Sequence, residues 1–480
     1  MKSSNGHPKI LLTGASGYVG SRLLIRLVAR DYPIRCLARN PAKLTYRHLS
    51  GVEIVKGDTL DLSTLKGVFE DIDIAYYLIH SMTGSADFEQ NDARSAANFA
   101  TAARNAGVKR ILYLGGLGDA EENLSAHLES RQHVGQILAE SGIPVTELRA
   151  SIIIGSGSAS FEIIRDLVKK LPFMITPRWV RSKCQPIAVR DVLNYLIRLL
   201  DEPKTTGKIF DIGGDEVLTY EEMMRRVALI HGKRLRILHV PVLTPHLSAY
   251  WLNLVTSVPM RLAFPLIEGL RNDTICKNHE IENIISFEKT PFDVAVSRAL
   301  SREREQQIES RWTEADTFSP PPVSSSYEML FDRQKIHSGV AADKIFKKVQ
   351  TIGGENGWYY ANWAWRLRGL FDRLIGGVGM RRGRRHPIDI RTGDTLDFWR
   401  VEDFQPGTSM KLRAEMKLPG TAWLEFVVDQ DDAGTFLNQV ASFVPSNFFG
   451  FIYWYFLLPA HFFIFRNMAK RIIKSAEESK

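Results

Sequence analysis

The stretch Thr13–Gly20, TGASGYVG, directly follows an apolar run and decides how the first half of the chain folds. Its glycines form the spacing GxxGxxG. In such a pattern the first glycine permits a sharp turn, the second lets backbone amides approach a diphosphate, and the third lets the next helix pack close to the strand. A helix opening at Tyr18 would point its dipole and free N–H groups at the anion. We therefore predict a phosphate-binding turn built on Gly14, Gly17 and Gly20.

Outward from this turn, short apolar runs alternate with amphipathic stretches as far as about Arg149. The runs include KILLT, IRCLA, VEIV and RILYL, and helical patterns such as RSAANFATAARNAG lie between them. Near-continuous apolar strands separated by helices are typical of a parallel sheet covered on both faces. The predicted fold class is α/β, with a doubly wound parallel sheet.

The end of the second predicted strand bears on the choice of cofactor. NAD binders place an acid there, whereas this chain reads CLARNPAK, with Arg39 near the expected position and Lys43 one turn on. A guanidinium at this point would pair with a 2′-phosphate and favour NADP(H) over NAD by roughly 10- to 150-fold. Asp58 and Thr59 follow the third strand. Asp58 is a candidate acceptor for the adenine amino group, and helix capping through Asp61 or turn formation is an equally good interpretation.

Composition excludes several classes of protein. Of the 480 residues, 44% are hydrophobic and 24% charged, which excludes a wholly disordered or multi-span membrane chain. The formal charge of +8 suits anionic ligands or an acidic membrane surface. The one dense basic cluster, RRGRRH at 381–386, is most simply a solvated loop, so no nucleic-acid partner is expected.

Three dispersed cysteines, Cys36, Cys184 and Cys276, show no CxxC spacing. Neither a disulfide framework nor a metal site is expected from them, and they favour a reducing compartment. The first residues, MKSSNGHPKILLTG, lack the apolar run of a signal peptide. We therefore expect a cytoplasmic protein, with membrane association as the alternative, whose oligomeric state the sequence leaves open.

The composition of the chain changes from Ser301. A charged segment, SREREQQIESRW, predicts a helix over 301–312, and SPPPVSSS at 319–326 is typical of a linker. Strand-like segments and one long aromatic helix follow, which predicts an antiparallel sheet gripping a C-terminal helix. The predicted domains are 1–315, a linker over 316–329, and 330–480.

Five motifs in order, TGASGYVG, KGDTLD, YYLIHSM, RILYLGGLG and QPIAVRDV, make residues 9 to about 300 resemble the atypical, NmrA-like branch of the short-chain dehydrogenase/reductase superfamily, with its Rossmann sheet. The residues after the linker resemble the START-like (SRPBCC) helix-grip domain. The first resemblance implies NADP(H) bound across the carboxyl ends of the strands. The contacts that it implies are backbone contacts to phosphate at Ser16, Gly17, Tyr18 and Val19 and ribose-side contacts at Leu78, Ile79 and His80.

The chain departs from the classical reductases at the catalytic pair. None of its 14 tyrosines has a lysine four positions on, and the serine position is occupied by Gly115 or Gly116. At the place of the pair stand His127 and Arg131, four apart on one helix face. His127 could supply a proton or be merely structural, whereas Arg131 could hold ribose or phosphate but stays charged. Candidate substrate contacts are Ser81, Met82 and Gln185.

Two apolar stretches could meet a ligand. Residues 243–270 offer Trp251, Leu252, Met260 and Phe264 as a substrate wall, although such a run is more often core. Residues 448–465, FFGFIYWYFLLPAHFFIF, contain no charge and precede RNMAKRIIK. This segment satisfies the length rule for a membrane span, but Pro459 should interrupt it. We expect a buried or cavity-lining helix, with membrane contact as the alternative.

The interpretation that the sequence favours is an NADP(H)-dependent oxidoreductase acting on a hydrophobic small molecule, which the second domain would hold in part. Hydride would pass to a carbonyl or activated double bond, with the proton from His127 or water. The missing YxxxK pair leaves two alternatives open: an NADPH-sensing regulator without turnover, and a membrane-associated assembly protein in which the nucleotide is structural.

Overall fold

The structure, a computed structural model, describes residues 7–45, 49–80, 88–118, 124–171, 173–240, 256, 258, 268–269, 272–305, 308–314, 328–431 and 434–479. The chain forms two compact units, Met1–Phe318 and Ser319–Lys480. Each unit has its own hydrophobic core. The predicted linker lies almost wholly outside the described residues.

The first unit alternates strands and helices. Its strands are β1 Ile10–Thr13, β2 Ile34–Ala38, β3 Val52–Lys56, β4 Ile74–Tyr77, β5 Arg110–Gly116, β6 Val145–Ala150, β7 Ile153–Ile154, β8 Phe173–Pro177, β9 Lys183–Cys184, β10 Ile187–Ala188, β11 Ile209–Ile212, β12 Leu218–Thr219 and β13 Arg236–Val240. Its helices are α1 Tyr18–Val28, α2 Ala42–Thr45, α3 Phe88–Asn105, α4 Ala126–Ala139, α5 Ala159–Lys170, α6 Val189–Arg198, α7 Tyr220–Ile230, α8 Glu280–Ile284 and α9 Phe292–Arg304.

Seven of these strands form one parallel sheet in the order β11-β6-β5-β4-β1-β2-β3. Successive residues of β1 point to opposite faces because the side-chain period of a strand is two. Ile10 and Leu12 pack into one core with Leu23 of α1. Leu11 packs into the other core with Phe99 of α3. Helices thus cover both faces, and the predicted doubly wound parallel sheet is confirmed.

The charged helix predicted over 301–312 is shorter than expected, since α9 ends at Arg304. Trp312 is buried, and its Nε1–H donates to Oε2 of Glu162 on α5 (2.7 Å). Burial of this indole against α5 stabilises a packed segment at this point better than further turns of an exposed helix would.

The second unit is an antiparallel sheet with a long helix. Its strands are β14 Leu330–Ser338, β15 Thr395–Leu396, β16 Trp399–Gln405, β17 Ser409–Ala414, β18 Gly420–Asp431 and β19 Gly434–Pro445, and its helices are α10 Ala342–Gln350, α11 Asn362–Leu374 and α12 Phe448–Glu477. The strand order is β14-β19-β18-β17-β16-β15. The core between this sheet and α10 and α12 includes Met468 and Ile472 of the last helix. This arrangement confirms the predicted antiparallel sheet and long C-terminal helix.

Helix α12 runs through Pro459 without a break, so the expected interruption is wrong. The side chain of Asn447 caps its first turn by accepting from the N–H of Gly450 (3.2 Å). Pro459 lies on the exposed side, and Trp454 and Phe465 before and after it are anchored in the core. Packing on both sides of the proline offsets the lost backbone hydrogen bond.

The basic cluster at 381–386 is not a solvated loop, and that interpretation is wrong for two of its arginines. Arg384 and Arg385 are buried. Arg385 donates to Oδ1 of Asp394 (3.0 Å) and to Oδ2 of Asp389 (2.8 Å), which supply the counter-charge that a buried guanidinium requires. Burial lowers the pKa of Arg384 to about 10.

Candidate functional site

The glycine-rich turn is shaped by close backbone contacts. Gly14 has φ +69°, and a Cβ there would lie 2.4 Å from the carbonyl oxygen of Leu78 at the end of β4. A Cβ on Gly20 would lie 2.2 Å from the carbonyl oxygen of Gly14. Neither distance is tolerable, so both positions require glycine. The contacts hold the start of α1 against the carboxyl ends of β1 and β4, where the strand order of the sheet reverses.

The start of α1 has the properties of an anion site. Gly17 is its N-cap, no side chain caps the helix, and no acid lies in its first turn. The first-turn amides and the helix dipole therefore favour a negative group at this point. Tyr18 is half-buried with its hydroxyl enclosed, and burial raises its pKa to about 12. Val19 is half-buried against the core. These two residues could therefore reach a phosphate only through their backbone.

A pocket opens beside the turn, at the carboxyl ends of β1, β2, β3 and β4. It brings together most of the residues predicted to bind a dinucleotide. Its lining residues are Gly14, Ser16, Gly17, Leu37, Arg39, Gly57, Asp58, Thr59, Leu60, Leu78, Ile79, His80 and Ser95.

The far end of this pocket carries the residues expected to meet the adenosine. Arg39 is exposed directly after β2. Asp58 Oδ1 accepts from the N–H of Leu60 (3.0 Å), so it shapes the turn while still lining the pocket. The Thr59 hydroxyl lies 2.7 Å from that of Ser95. Lys43 is buried on α2 and is not among the described residues that line the pocket.

Two histidines link this pocket to its neighbour. Nδ1 of His80 lies 3.1 Å from Oδ2 of Asp92 on α3. The rings of His80 and His127, the latter on α4, lie 4.9 Å apart. Within the described part of the chain, Nε2 of His80 is buried without a hydrogen-bond partner. With Asp92 accepting from Nδ1–H, the free Nε2 is an acceptor that fits a ribose hydroxyl.

Both imidazoles are held neutral. Burial, followed by the charge of Arg131, lowers the pKa of His80 in spite of Asp92. Burial, followed by His80 and Arg131, lowers the pKa of His127 well below its usual range. A neutral imidazole can donate one N–H to a substrate oxygen and accept at its other nitrogen.

His127 lines a second pocket, at the ends of β5 and β6. In it the hydroxyls of Ser151 and Thr274 lie 2.6 Å apart. The lining residues are Gly116, Leu117, His127, Leu128, Ala150, Ser151, Ile152, Ser160, Ile163, Ile164, Tyr220, Gly269 and Thr274. A site with an apolar wall and a few hydroxyls suits a small lipophilic substrate.

Other predicted site residues lie elsewhere. Arg131 donates to the carbonyl of Leu114 and stacks over the ring of Tyr113 at 5.2 Å, outside both pockets as their described residues define them. The amide of Gln185 donates to the carbonyl of Gly214 (2.6 Å) and accepts from the N–H of Cys276 (3.1 Å). The predicted residues that fall outside the described part of the chain are Ser81, Met82, Trp251, Leu252, Met260 and Phe264.

Asp92 and Ser95 are not among the residues predicted from the sequence. Both lie on the buried face of α3, in line with Ala96 and Phe99. A carboxylate and a hydroxyl on an otherwise apolar helix face are a signal that could have identified them, because such groups need a buried partner.

The second unit contains a separate, larger cavity of about 840 Å³ between α11, α12 and the sheet. Nearly all of its walls are apolar or aromatic, with Trp399, Trp423 and Trp454 among them. The indole N–H groups of Trp399 and Trp423 and Nδ1 of His461 are buried without a partner in the described residues. The cavity therefore suits an apolar ligand that carries acceptor oxygens.

The regions that match known protein families fall separately in the two compact units. Residues 14–167 match the family of NAD(P)H-binding proteins, and residues 329–468 match a family described as protein of unknown function (DUF2867). The reductase from Streptomyces griseus named for (4-alkanoyl-5-oxo-2,5-dihydrofuran-3-yl)methyl phosphate is 28% identical over 234 residues, which are 47% of this chain and 75% of that protein. Photosystem II assembly factor Ycf39 of Trieres chinensis is 22% identical over 269 residues, 55% of this chain and 83% of that protein.

Solved structures agree on the fold. An NADPH-dependent quinone oxidoreductase from Escherichia coli, complexed with NADPH, superposes with a TM-score of 0.50 at 20% identity, covering 61% of this chain and 99% of its own. The Bordetella bronchiseptica enzyme WbmG in complex with NAD superposes with a TM-score of 0.51 at 16% identity, covering 65% of this chain and 98% of its own. Residues 14–167 of the first unit are similar to NAD(P)H-binding proteins, and these solved structures share its α/β fold. Residues 329–468 of the second unit are similar to the DUF2867 family.

Proposed function

We propose that this protein is an NADP(H)-dependent oxidoreductase that reduces a carbonyl or activated double bond in a hydrophobic small molecule. The observation that carries the proposal is the contact between His80, which lines the dinucleotide pocket, and His127, which lines the pocket beside it, with rings 4.9 Å apart. A cofactor and a substrate would thus meet across two neutral imidazoles.

The residues of the dinucleotide pocket would divide the binding between them. Amides at Ser16 and Gly17 would hold the diphosphate, and Arg39 would pair with the 2′-phosphate of NADP(H). The Nε2 acceptor of His80 would take a ribose hydroxyl. When bound, the nicotinamide supplies a hydride. The chain itself binds the cofactor, orients it and excludes water from the site.

His127 would polarise the substrate. Its neutral ring would donate a hydrogen bond to the oxygen on which negative charge develops, and that oxygen would take its proton from water, with the hydroxide released to solvent. Asp92 would act through His80 as a positioning residue, because its carboxylate selects the tautomer protonated at Nδ1.

The second unit would hold the lipophilic molecule. What supports this part of the proposal is the 840 Å³ cavity and its unpartnered indole donors, together with the START-like resemblance of its sequence. The hydrophobic ligand should be detectable by native mass spectrometry of the full chain purified without detergent.

The test of turnover is NADPH oxidation by the full chain against a panel of lipophilic carbonyls and quinones. The wild type should oxidise NADPH with at least one of them, and His127→Ala should lose about 100-fold in kcat with little change in NADPH affinity. Tight NADPH binding without turnover on any substrate would contradict the oxidoreductase and favour a second candidate.

That second candidate is an NADPH-sensing regulatory or assembly protein. It is favoured by the absent YxxxK pair and by Arg131, which contacts Leu114 and Tyr113 and is not among the described residues that line the dinucleotide pocket. Two similar proteins are named as assembly factors of photosystem II, which adds to the motivation. In this case NADPH binding would shift the affinity for a partner protein, measurable by calorimetry with and without the nucleotide.

A further inference from the structure

Helix α11 and the first part of α12 expose an unusual amount of apolar surface. We call the outward side chains of α11 and of residues 448–463 the aromatic face. Eight aromatic side chains on it are more than half exposed, led by Phe456 (81%), Trp363 (72%) and Phe449 (71%). A folded protein rarely leaves such a surface to water, and a contiguous one marks an interaction site.

The two helices meet around the mouth of the 840 Å³ cavity. Trp363 and Phe371 of α11 line this cavity and are also exposed, as is Phe463 of α12. The rings of Tyr360 and Phe463 lie 5.9 Å apart at the edge. The mouth of the cavity therefore opens within the aromatic face.

The charges around the aromatic face have one sign. Its only acid in the described residues is Asp372, which is fully buried and accepts from the N–H groups of Gly379 (2.8 Å) and Lys417 (2.7 Å). Arg366 on α11 is exposed. On α12, the exposed cations after the aromatic face are Arg466, Lys470, Arg471 and Lys474.

This charge pattern selects among the possible partners. A second copy related by a two-fold axis would bring the same cations against each other. An anionic bilayer complements both properties, because aromatic side chains partition into its interfacial region and the cations attract its headgroups.

Helix α12 is the one described helix long and apolar enough to span a membrane. Its packing indicates that it lies flat instead. Trp454, Met468 and Ile472 are buried in the core of the second unit, so the helix cannot enter a bilayer lengthwise without dismantling that core. The part with exposed aromatic side chains, residues 448–463, is about 24 Å long, short of the ~30 Å hydrocarbon layer.

We propose that the second unit docks on an anionic membrane surface through the aromatic face, with the mouth of the cavity turned toward the lipid. This docking does not depend on whether the protein has enzymatic activity. Exchange of a lipophilic molecule between bilayer and cavity follows from it and rests on the ligand-holding role proposed above.

The test is co-sedimentation of the full chain, purified without detergent, with vesicles of phosphatidylcholine alone or with about a quarter phosphatidylglycerol. The wild type should bind the anionic vesicles at least about tenfold more tightly, and salt near 1 M should weaken this binding. Phe449→Ser with Phe456→Ser, which removes two exposed rings that do not line the cavity, should weaken it about tenfold or more. Phe331→Ser, an exposed ring on β14, is the matched control and should bind as the wild type does.

A charge variant keeps the test decisive if the double serine variant fails to fold. Arg466→Glu with Lys470→Glu leaves every aromatic side chain in place and should abolish the preference for anionic vesicles. An unchanged preference overturns the proposal, as does wild-type protein that ignores both kinds of vesicle. Resistance to alkaline extraction would show a membrane span instead. Dimers that the double serine variant dissociates, without vesicle binding, would assign the face to a second copy.

Discussion

Nδ1 of His80 lies 3.1 Å from Oδ2 of Asp92, and this pair joins the buried face of α3 to the wall of the dinucleotide pocket. The hydroxyl of Ser130 reaches the same carboxylate oxygen from α4 (3.4 Å). One carboxylate therefore fixes the orientation of an imidazole and ties two helices together. The pair makes the chemistry of the pocket testable by substitutions that leave the sheet intact.

Asp92→Asn should lower kcat by about tenfold, because the amide no longer selects the His80 tautomer protonated at Nδ1. The pH dependence of kcat should change as well, which a merely structural residue would not produce. Steady-state NADPH oxidation across pH measures both. Glu89→Gln, at an exposed acid on the same helix, is the control. A kcat and a pH profile equal to the wild type would remove Asp92 from the mechanism.

Arg39→Asp should reverse the nucleotide preference. The substitution replaces the partner of a 2′-phosphate by the acid that NAD binders use, so the ratio of NADPH to NADH affinity should fall by at least about 10-fold. Calorimetric titration with both nucleotides gives the ratio directly. Equal NADPH affinity in the variant and the wild type would mean that the guanidinium does not contact the nucleotide.

Substitutions in the glycine turn should have graded effects. A methyl group at Gly20 would meet the carbonyl oxygen of Gly14 at 2.2 Å, whereas one at Gly17 would lie 3.1 Å from the same oxygen. Gly20→Ala should lower the free energy of unfolding by about 1–3 kcal/mol, and Gly17→Ala by less. Gly17→Ala should still weaken NADPH binding, because the methyl group stands where the phosphate approaches. Thermal unfolding with and without NADPH separates the two effects.

The second unit should lose stability in mild acid through His461. Burial lowers the pKa of His461 to about 4. As the pH falls, His461 takes up a proton in the unfolded chain before it does so in the folded one. The free energy of unfolding is therefore unaffected by this group above about pH 6.5 and decreases from there toward pH 4. Between pH 7 and pH 5 this loss should be about 2 kcal/mol.

Denaturant unfolding followed by tryptophan fluorescence measures that loss, and His461→Gln should remove it. His133→Gln, at an exposed histidine of α4, should leave it in place. A pH dependence that persists in His461→Gln would assign the effect to another group.

Much of the first unit was predictable because its signals are local. The turn at Gly14, Gly17 and Gly20 follows a buried strand and precedes a helix, and each glycine answers a short-range steric demand. The chemistry between the pockets was less predictable, since Asp92 and His80 are twelve residues apart and meet only through the packing of α3 on the sheet. Pro459 shows the opposite error, where a local rule was overruled by the core on both sides of the helix.

The sequence by itself determined the class of fold, the place of the glycine turn and the cation at Arg39, because periodicity, glycine spacing and residue chemistry act over one strand and one helix. Tertiary structure alone decided which side chains share a pocket, that Arg384 and Arg385 are buried, and that α11 joins α12 in one exposed aromatic face. These outcomes depend on burial, and burial is a property of chain segments brought together from distant positions.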